Sequence, residues 1–509
     1  MMSRAFFLDM HNGTAAELSR VPLLPMETFR RGIIHEVENG AEIASFFALP
    51  RAASGSAMGG FLLTVVLADP EAGMMRCATA ALKDSWPSLT AEGCVAANWF
   101  EREMAEQWRI TPEGHPWLKP LRFQPPMDGA LPGMPTPGIG DASFFRVEGE
   151  ELHEVAVGPV HAGVIEPGHF RFQCHGETVL HLEISLGYQH RGVERALSAG
   201  PDPRSIHYAE TLAGDTSIGH ATAYCEVVEA LAGVRVPPRA QAIRAVSLEL
   251  ERIANHVGDL GAMAGDVGFL PTSAWCGRIR GDVLNMTALL CGSRFGRGLL
   301  RPGGVSCDMD EAVVAELVER LRGSARDAQG ACGLLWTTPS VLARFEGTGA
   351  LTRAAALGIG LTGPSARACG IDRDVRRDHP SGIWRFSQVP VSTGRAGDVF
   401  SRAYVRGLEI QRSFAFIEDQ LASLPGGELA ARVGAFRRGS LAVSMVEGWR
   451  GAICHAAMTD TRGRFLRYKV VDPSFRNWFG LALAMRGQQV SDFPLCNKSF
   501  NLSYCGHDL

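Results

Sequence analysis

Phe170-Arg171-Phe172-Gln173-Cys174-His175-Gly176-Glu177-Thr178-Val179-Leu180-His181-Leu182-Glu183-Ile184 reads as a β-hairpin. Phe170, Phe172 and Cys174 alternate with Arg171 and Gln173, so one face is apolar and the other polar. Gly176-Glu177 supplies the turn, and Leu180, Leu182 and Ile184 resume the alternation. Downstream the pattern becomes helical. Pro237 and Pro238 suit a helix start, and Ile243, Val246, Leu250, Ile253, Val257 and Leu260 follow at helical spacing. Ser217 is placed to cap a helix running through Leu231. Asp398 is placed to cap another, carrying Val405, Leu408, Phe414, Ile417 and Leu421. This part reads as a helical bundle with β elements at its edges. Upstream, the segment Gln124 to Gly140 holds Pro125, Pro126, Pro132, Pro135 and Pro137 among glycines, which suits a linker rather than a helix or central strand. It follows an N-terminal part of mixed α/β character. The expected architecture is thus an α+β domain (1–123), a linker (124–150) and a mainly α helical bundle with peripheral β hairpins (151–509).

Composition narrows the function classes. The 509 residues suffice for several domains, and 46% hydrophobic with 20% charged content is ordinary for a globular protein. A net charge of -4 gives no electrostatic reason to expect nucleic acid as a partner. Met1 to Gly13 carries Asp9 and no long apolar core, so it is not read as a signal peptide. The best apolar run, Phe61 to Ala68, is far short of the roughly 20 residues a spanning helix needs, so no direct transmembrane segment is expected. Twelve cysteines include no CxxC pair, which speaks for buried apolar thiols rather than a private iron–sulfur cluster. Gly358-Ile359-Gly360-Leu361-Thr362-Gly363 satisfies a dinucleotide-binding pattern, but Pro364 follows at once and no acidic residue closes a βαβ unit.

Two resemblances organise the rest. Ala96-Ala97-Asn98-Trp99-Phe100-Glu101-Arg102-Glu103, continuing to Ile110 and Gly114-His115-Pro116, resembles the 30 kDa hydrophilic subunit of complex I, which has an α+β fold. It departs at Arg109, where that family usually has glycine, and after Leu121-Arg122. Taken alone, Glu101, Arg102 and Glu103 read as a solvated helix start. From Gly158 onward the chain resembles the 49 kDa subunit of complex I and its relative, the [NiFe] hydrogenase large subunit. Gly158-Pro159-Val160-His161, Glu166-Pro167-Gly168-His169-Phe170, Gly187-Tyr188-Gln189-His190-Arg191-Gly192-Val193-Glu194 and Glu249-Leu250-Glu251-Arg252-Ile253-Ala254-Asn255-His256 carry it. Gly363-Pro364 with Arg367, Glu447 with Arg450-Gly451, and Pro473-Ser474-Phe475 continue it in order. Fusion of the two parts is typical of formate-hydrogenlyase and hydrogenase-4 type large subunits and of some bacterial complex I enzymes.

In register with the hydrogenases, the nickel–iron cysteine positions fall on Ala213, Thr216, Ser503 and Gly506. Nickel and low-spin iron take soft, anionic thiolates, which none of these supplies. The resemblance therefore implies no metal bound by this chain, and a [NiFe] hydrogenase is a distant alternative. The chain's end three residues beyond Gly506 fits a subunit that needs no tail removed after metal insertion. Complex I uses the vacated cavity for quinone, held by a histidine on the opening hairpin and a tyrosine near the lost cysteines. The first corresponds to His169, with His161 just before it; the second falls on Asp215, so Asp215 itself, Tyr208 or Tyr504 would replace the phenol.

His161, His169 and Asp215 are accordingly expected to handle protons. Arg191 with Glu194 is expected as a buried ion pair or proton-path carboxylate at the cavity floor. His220, Arg367 and Arg450 are cavity or structural residues; Asp215 or Ser217 alternatively caps a helix. The resemblance implies a large subunit of a complex I-like oxidoreductase, with quinone as its possible acceptor. Its partners would be an iron–sulfur small subunit, a ferredoxin-like subunit and proton-pumping membrane subunits. It would lie in the cytoplasm, peripheral on the inner face of the membrane. NAD, if used, would bind elsewhere in the complex. A non-catalytic scaffold or coupling role is the alternative.

Overall fold

A computed structural model describes all residues except 1–5, 52–58, 134, 135, 140, 142, 163 and 199. Helices and sheets are mixed throughout. In the N-terminal part, the strands Leu8–Met10, Met74–Leu82, Phe61–Asp69 and Glu42–Pro50 form an antiparallel sheet in that spatial order, with Leu23–Leu24 added in parallel. Helices Met26–Glu38 and Asn98–Trp108 pack on it.

The chain then does something its linker does not suggest. Thr14–Glu17, from the first twenty residues, pairs with Ser440–Gly448 and becomes the edge of a sheet ordered Phe465–Val471, Gly451–Thr459, Ser440–Gly448, Thr14–Glu17. Asn12 locks the junction: its amide donates to His379 O (2.7 Å) and Met445 O (2.8 Å), and its oxygen accepts from Met445 N (2.7 Å). Both central strands are buried along their whole length. Because strand side chains alternate, Leu441, Val443 and Met445 enter the N-terminal core while Ala442 and Val446 enter the helical core. The expectation of β elements only at the periphery fails here, since a sheet flanked by two cores has no solvent face to mark it.

The helical core is built from Ser217–Ala232, Pro238–Asp266, Leu270–Cys291, Glu311–Thr337 and Val399–Ala422. Asp398 caps the last as expected, accepting from Ser401 N at 2.8 Å. Ser217 does not cap its helix. It is the first helical residue, and Glu251 from the neighbouring helix accepts instead from Ile218 N (2.7 Å) and Gly219 N (3.1 Å). The opening hairpin forms as read, His169–His175 against Thr178–Ser185, with Phe172 opposite Leu182 and Leu152–Val157 on the far edge.

The helix start at Glu101, Arg102 and Glu103 is buried, not solvated. Glu101 accepts from Trp86 Nε1, Ser88 Oγ, Leu89 N and both donors of Thr90. Its helix ends at Arg109, whose φ of 59° is the left-handed conformation that favours glycine. The departure from the family pattern thus lies at a strained position.

Candidate functional site

The four positions aligned with hydrogenase cysteines lie on two segments, Ala213 to Thr216 and Ser503 to Gly506, and a third segment joins them. Trp449 and Arg450 form the two-residue turn between the strands Ser440–Gly448 and Gly451–Thr459, where Gly448 pairs with Gly451. The turn is set by contact with Gly363, at which an added Cβ would lie 2.1 Å from Arg450 O. That close approach explains the glycine closing the Gly358 to Gly363 run, which joins two short helices and contains no strand.

Arg450 reaches the first segment and Asn501, two residues before the second. Its Nη1 and Nη2 donate to Asp215 Oδ1 (2.6 Å) and Oδ2 (2.8 Å), its Nε donates to Asn501 O (2.5 Å), and Nη1 also reaches Thr216 Oγ1 (3.2 Å). The Trp449 ring lies against the guanidinium, 3.9 Å from ring centre to Cζ. Its indole N–H donates to Asp215 O (3.2 Å) and Thr216 Oγ1 (3.1 Å), and Asn255 Nδ2 donates to Asp215 O (2.9 Å). Burial pushes the Asp215 carboxyl up, but the forked Arg450 overrides it and holds Asp215 below the usual carboxylate range. Asp215 is therefore held as the anion of an ion pair.

On the opposite side, Ser503 Oγ accepts from Gly506 N (2.9 Å) and caps the short C-terminal helix, with Cys505 Sγ 3.4 Å away. A Cβ at Gly506 would fall 2.7–2.9 Å from the Asp472 carboxyl group. Asp472, which carries no mark in the sequence, occupies the space a side chain at 506 would need. The donor set does not match a nickel–iron centre: two positions offer no ligand atom, the two hydroxyls are committed to hydrogen bonds, and a guanidinium reaches between the segments.

Glu166 is the other residue that sequence reasoning missed, although it stands in the Glu166-Pro167-Gly168-His169 motif. Burial raises its carboxyl; Arg450 pulls against that and Asp215 reinforces it, with Gln189 and the Cys505 backbone as hydrogen-bond partners. Its proton affinity is thus raised, as is that of Glu251, which burial pushes up to about 8. His169 opens its strand, with its ring 5.1 Å from that of Phe144 and burial lowering its pKa; its Nε2 has no hydrogen-bond partner among the described residues. His161 lies exposed on the preceding loop, which also exposes Val160 (86%) and Ile165 (58%). Of the alternative tyrosines, Tyr504 is buried beneath that loop, close enough that a Cβ on Gly168 would sit 2.7 Å from its Cε1, and burial pushes its phenol up to about 12. Tyr208 is half-buried on the helix Ser205–Glu210.

Arg191 and Glu194 do not pair with each other. Arg191 donates to Thr211 O (2.7 Å) and Leu212 O (2.9 Å), tying the motif to the Ala213 to Thr216 segment. Glu194 points into the seam between the two parts, where it accepts from Arg467 (2.8 Å) and Lys469 (2.8 Å); Lys469 also donates to Glu103 (2.7 Å), which pairs with Arg122. Spacing of three residues put the charges on one strip of sequence, but the chain turns at Gly192 (φ 67°) and sends them apart. Arg367 lies behind the site, bonded to Glu409 (2.9 Å) and Glu447 (2.7 Å). His220 hydrogen-bonds Asp472 Oδ2 (2.9 Å).

The surrounding sequence agrees with this arrangement. The family model described as "Respiratory-chain NADH dehydrogenase, 49 Kd subunit" matches residues 266–440. The chain is 31% identical over 440 residues to formate hydrogenlyase subunit 5 of Escherichia coli (strain K12), covering 83% of this chain and 76% of the relative. The chain belongs to the 49 kDa complex I subunit family. Within that family it is 30% identical over 433 residues to hydrogenase-4 component G of the same organism (82% and 75% covered). It is 32% identical over 363 residues to the second D-type subunit of the NADH-quinone oxidoreductase of Herpetosiphon aurantiacus, with 69% and 97% covered. The two Escherichia coli relatives match more of this chain than the Herpetosiphon relative does, in keeping with the fused type. The 49 kDa family places the chain among the components of complex I-like oxidoreductases. Among the described residues no helix is long and apolar enough to cross a membrane.

Proposed function

We propose that this chain is the large subunit of a membrane-associated, complex I-like or formate-hydrogenlyase-like oxidoreductase, whose metal-free site reduces or oxidises a quinone-like acceptor. The observation that carries the reading is the Arg450–Asp215 pair beside Glu166 at the positions of the lost thiolates. Two-electron reduction of a quinone takes up two protons and builds negative charge on oxygen. Arg450 is the fixed positive charge for that oxygen, Glu166 and His169 are the groups from which protons would come, and Asp215 holds Arg450 in place. The electrons would arrive from an iron–sulfur cluster in a small partner protein seated on the apolar rim formed by Val160 and Ile165. A ferredoxin-like subunit would feed that cluster, and proton-pumping membrane subunits would anchor the assembly at the inner face of the cytoplasmic membrane. The second reading is a coupling subunit that performs no chemistry; it is favoured by the complete engagement of Asp215 with Arg450.

Purified complex assayed with a soluble quinone separates the two. Glu166→Gln and His169→Ala are each expected to lower turnover by about 100-fold. Unchanged turnover in both variants would leave the coupling role, and stoichiometric nickel in the complex would overturn the reading altogether.

A further inference from the structure

Behind the site, four buried side chains from a helix, two strands and the loop after the second strand form an unbroken line of hydrogen bonds. Asp472 Oδ2 lies 2.9 Å from His220 Nε2, His220 Nδ1 lies 3.1 Å from His455 Nε2, and His455 Nδ1 lies 2.8 Å from Tyr468 Oη. None of the four is more than 1% exposed. In a pair of neutral histidines bonded ring to ring, the proton position of one ring sets that of the other. Burial keeps the proton on the Tyr468 oxygen, and with Asp472 as the anion at the far end the consistent arrangement has Tyr468 donating to His455 Nδ1. His455, which burial keeps neutral with the neighbouring His220 opposing its charge further, then carries its proton on Nε2 and donates to His220 Nδ1. His220 in turn carries its proton on Nε2 and donates to Asp472, held anionic chiefly by His220 and Arg450 against the cost of burial. Every donor points the same way.

The two ends of the line differ. Asp472 stands against Gly506, at the site. The Tyr468 ring lies 6.1 Å from that of Tyr224, whose hydroxyl bonds Ser205; Ser205 Oγ accepts from Asp202 N at 3.0 Å, and Asp202 is at the surface. The charged group facing His455 from outside the line is Glu194.

We propose that Asp472, His220, His455 and Tyr468 form a proton relay that carries one proton from the exposed Asp202, by way of the buried Ser205 and Tyr224, to the site. One passage breaks and forms bonds in step: the His220 Nε2 proton moves to Asp472, the His455 Nε2 proton to His220 Nδ1, and the Tyr468 proton to His455 Nδ1. Tyr468 regains a proton from solvent by way of Tyr224 and Ser205. One proton enters, one becomes available at Asp472, and no electron moves. The use of that proton rests on the acceptor chemistry proposed above, whereas the relay itself does not.

The test is exchange of the imidazole N–H protons of His220 and His455 with deuterium in the full chain labelled with [15N]histidine. Despite total burial these protons are expected to exchange quickly in the native protein, and Tyr468→Phe, which keeps the ring, is expected to slow them about tenfold or more. Ser205→Ala, farther out, slows them as well and serves if Tyr468→Phe fails to fold. Equal exchange rates in native and variant chains, or native protons that persist for days, would overturn the relay. In the assembled complex, Tyr468→Phe is further expected to lower quinone turnover with KM unchanged and to raise the solvent deuterium isotope effect. If the native complex reduces no quinone, the acceptor reading fails while ring exchange still decides the relay.

Discussion

Two charged interiors of this molecule use similar residues to opposite ends. At the seam between the N-terminal and C-terminal parts, Glu194, Lys469, Arg467, Glu103 and Arg122 are all buried and answer one another across three stretches of chain. At the site, Arg450 and Asp215 form one forked pair, with Glu166 nearby lacking a cation of its own and the Asp215 side chain 32% exposed. The seam sets the cations Lys469, Arg467 and Arg122 against the carboxylates Glu194 and Glu103, so that each carboxylate has a cation in contact. The site leaves Glu166 with a raised proton affinity, and Glu251, near Asp215, is pushed up to about 8 chiefly by burial. A buried charge network is therefore informative about function only where its pairing is incomplete.

Breaking the seam has the largest expected effect. Lys469→Ala leaves Glu103 and Glu194 in the core short of a cation, and is expected to destabilise the chain by about 3–5 kcal/mol in urea unfolding. Arg450→Ala should reverse the balance: acceptor turnover falls about 100-fold or more, while the stability loss is smaller because Asp215 can rehydrate. Equal destabilisation by the two substitutions would erase the distinction.

The pH dependence separates the two carboxyls of the site. That of Asp215 is held low, so its contribution to stability is present above the unfolded aspartate value of about 3.9 and is lost as pH falls through its lower folded value. Glu166 is held high, so its contribution is fully present below the unfolded value of about 4.3 and is lost as pH rises through its folded value. Melting temperature followed against pH should therefore decline less with rising pH in Glu166→Gln than in the native chain. The smallest effect is expected at Arg109→Gly, where relief of the left-handed backbone outweighs loss of the 3.2 Å bond to Leu131 O. A gain of about 0.5 kcal/mol is expected in the same unfolding assay.

Much of the site was legible because it is written in contiguous motifs. Asp215, Thr216, Ser503, Gly506 and Arg450 were all identified in register, and they do converge. Glu166 stands within a motif yet went unmarked, since nothing local distinguishes a carboxylate at the surface from one beside Arg450. Asp472, His455 and Tyr468 carried no signal: they sit on or next to the buried strands Gly451–Thr459 and Phe465–Val471, whose pattern reports only burial. Arg191 and Glu194 misled through proximity in sequence, and Glu101 to Glu103 through charge, because the partners that bury them lie on distant segments.

Residue type and spacing were enough to establish what this protein resembles and what it lacks: the hairpin, the long helices, the family motifs, and the absence of thiolates at the four aligned positions. Those features act locally. Which charges meet was settled only by folding. Whether a carboxylate is neutralised, poised or joined to a relay depends on groups hundreds of residues away, brought together by a sheet that takes its edge strand from Thr14–Glu17 and its centre from residues beyond 440.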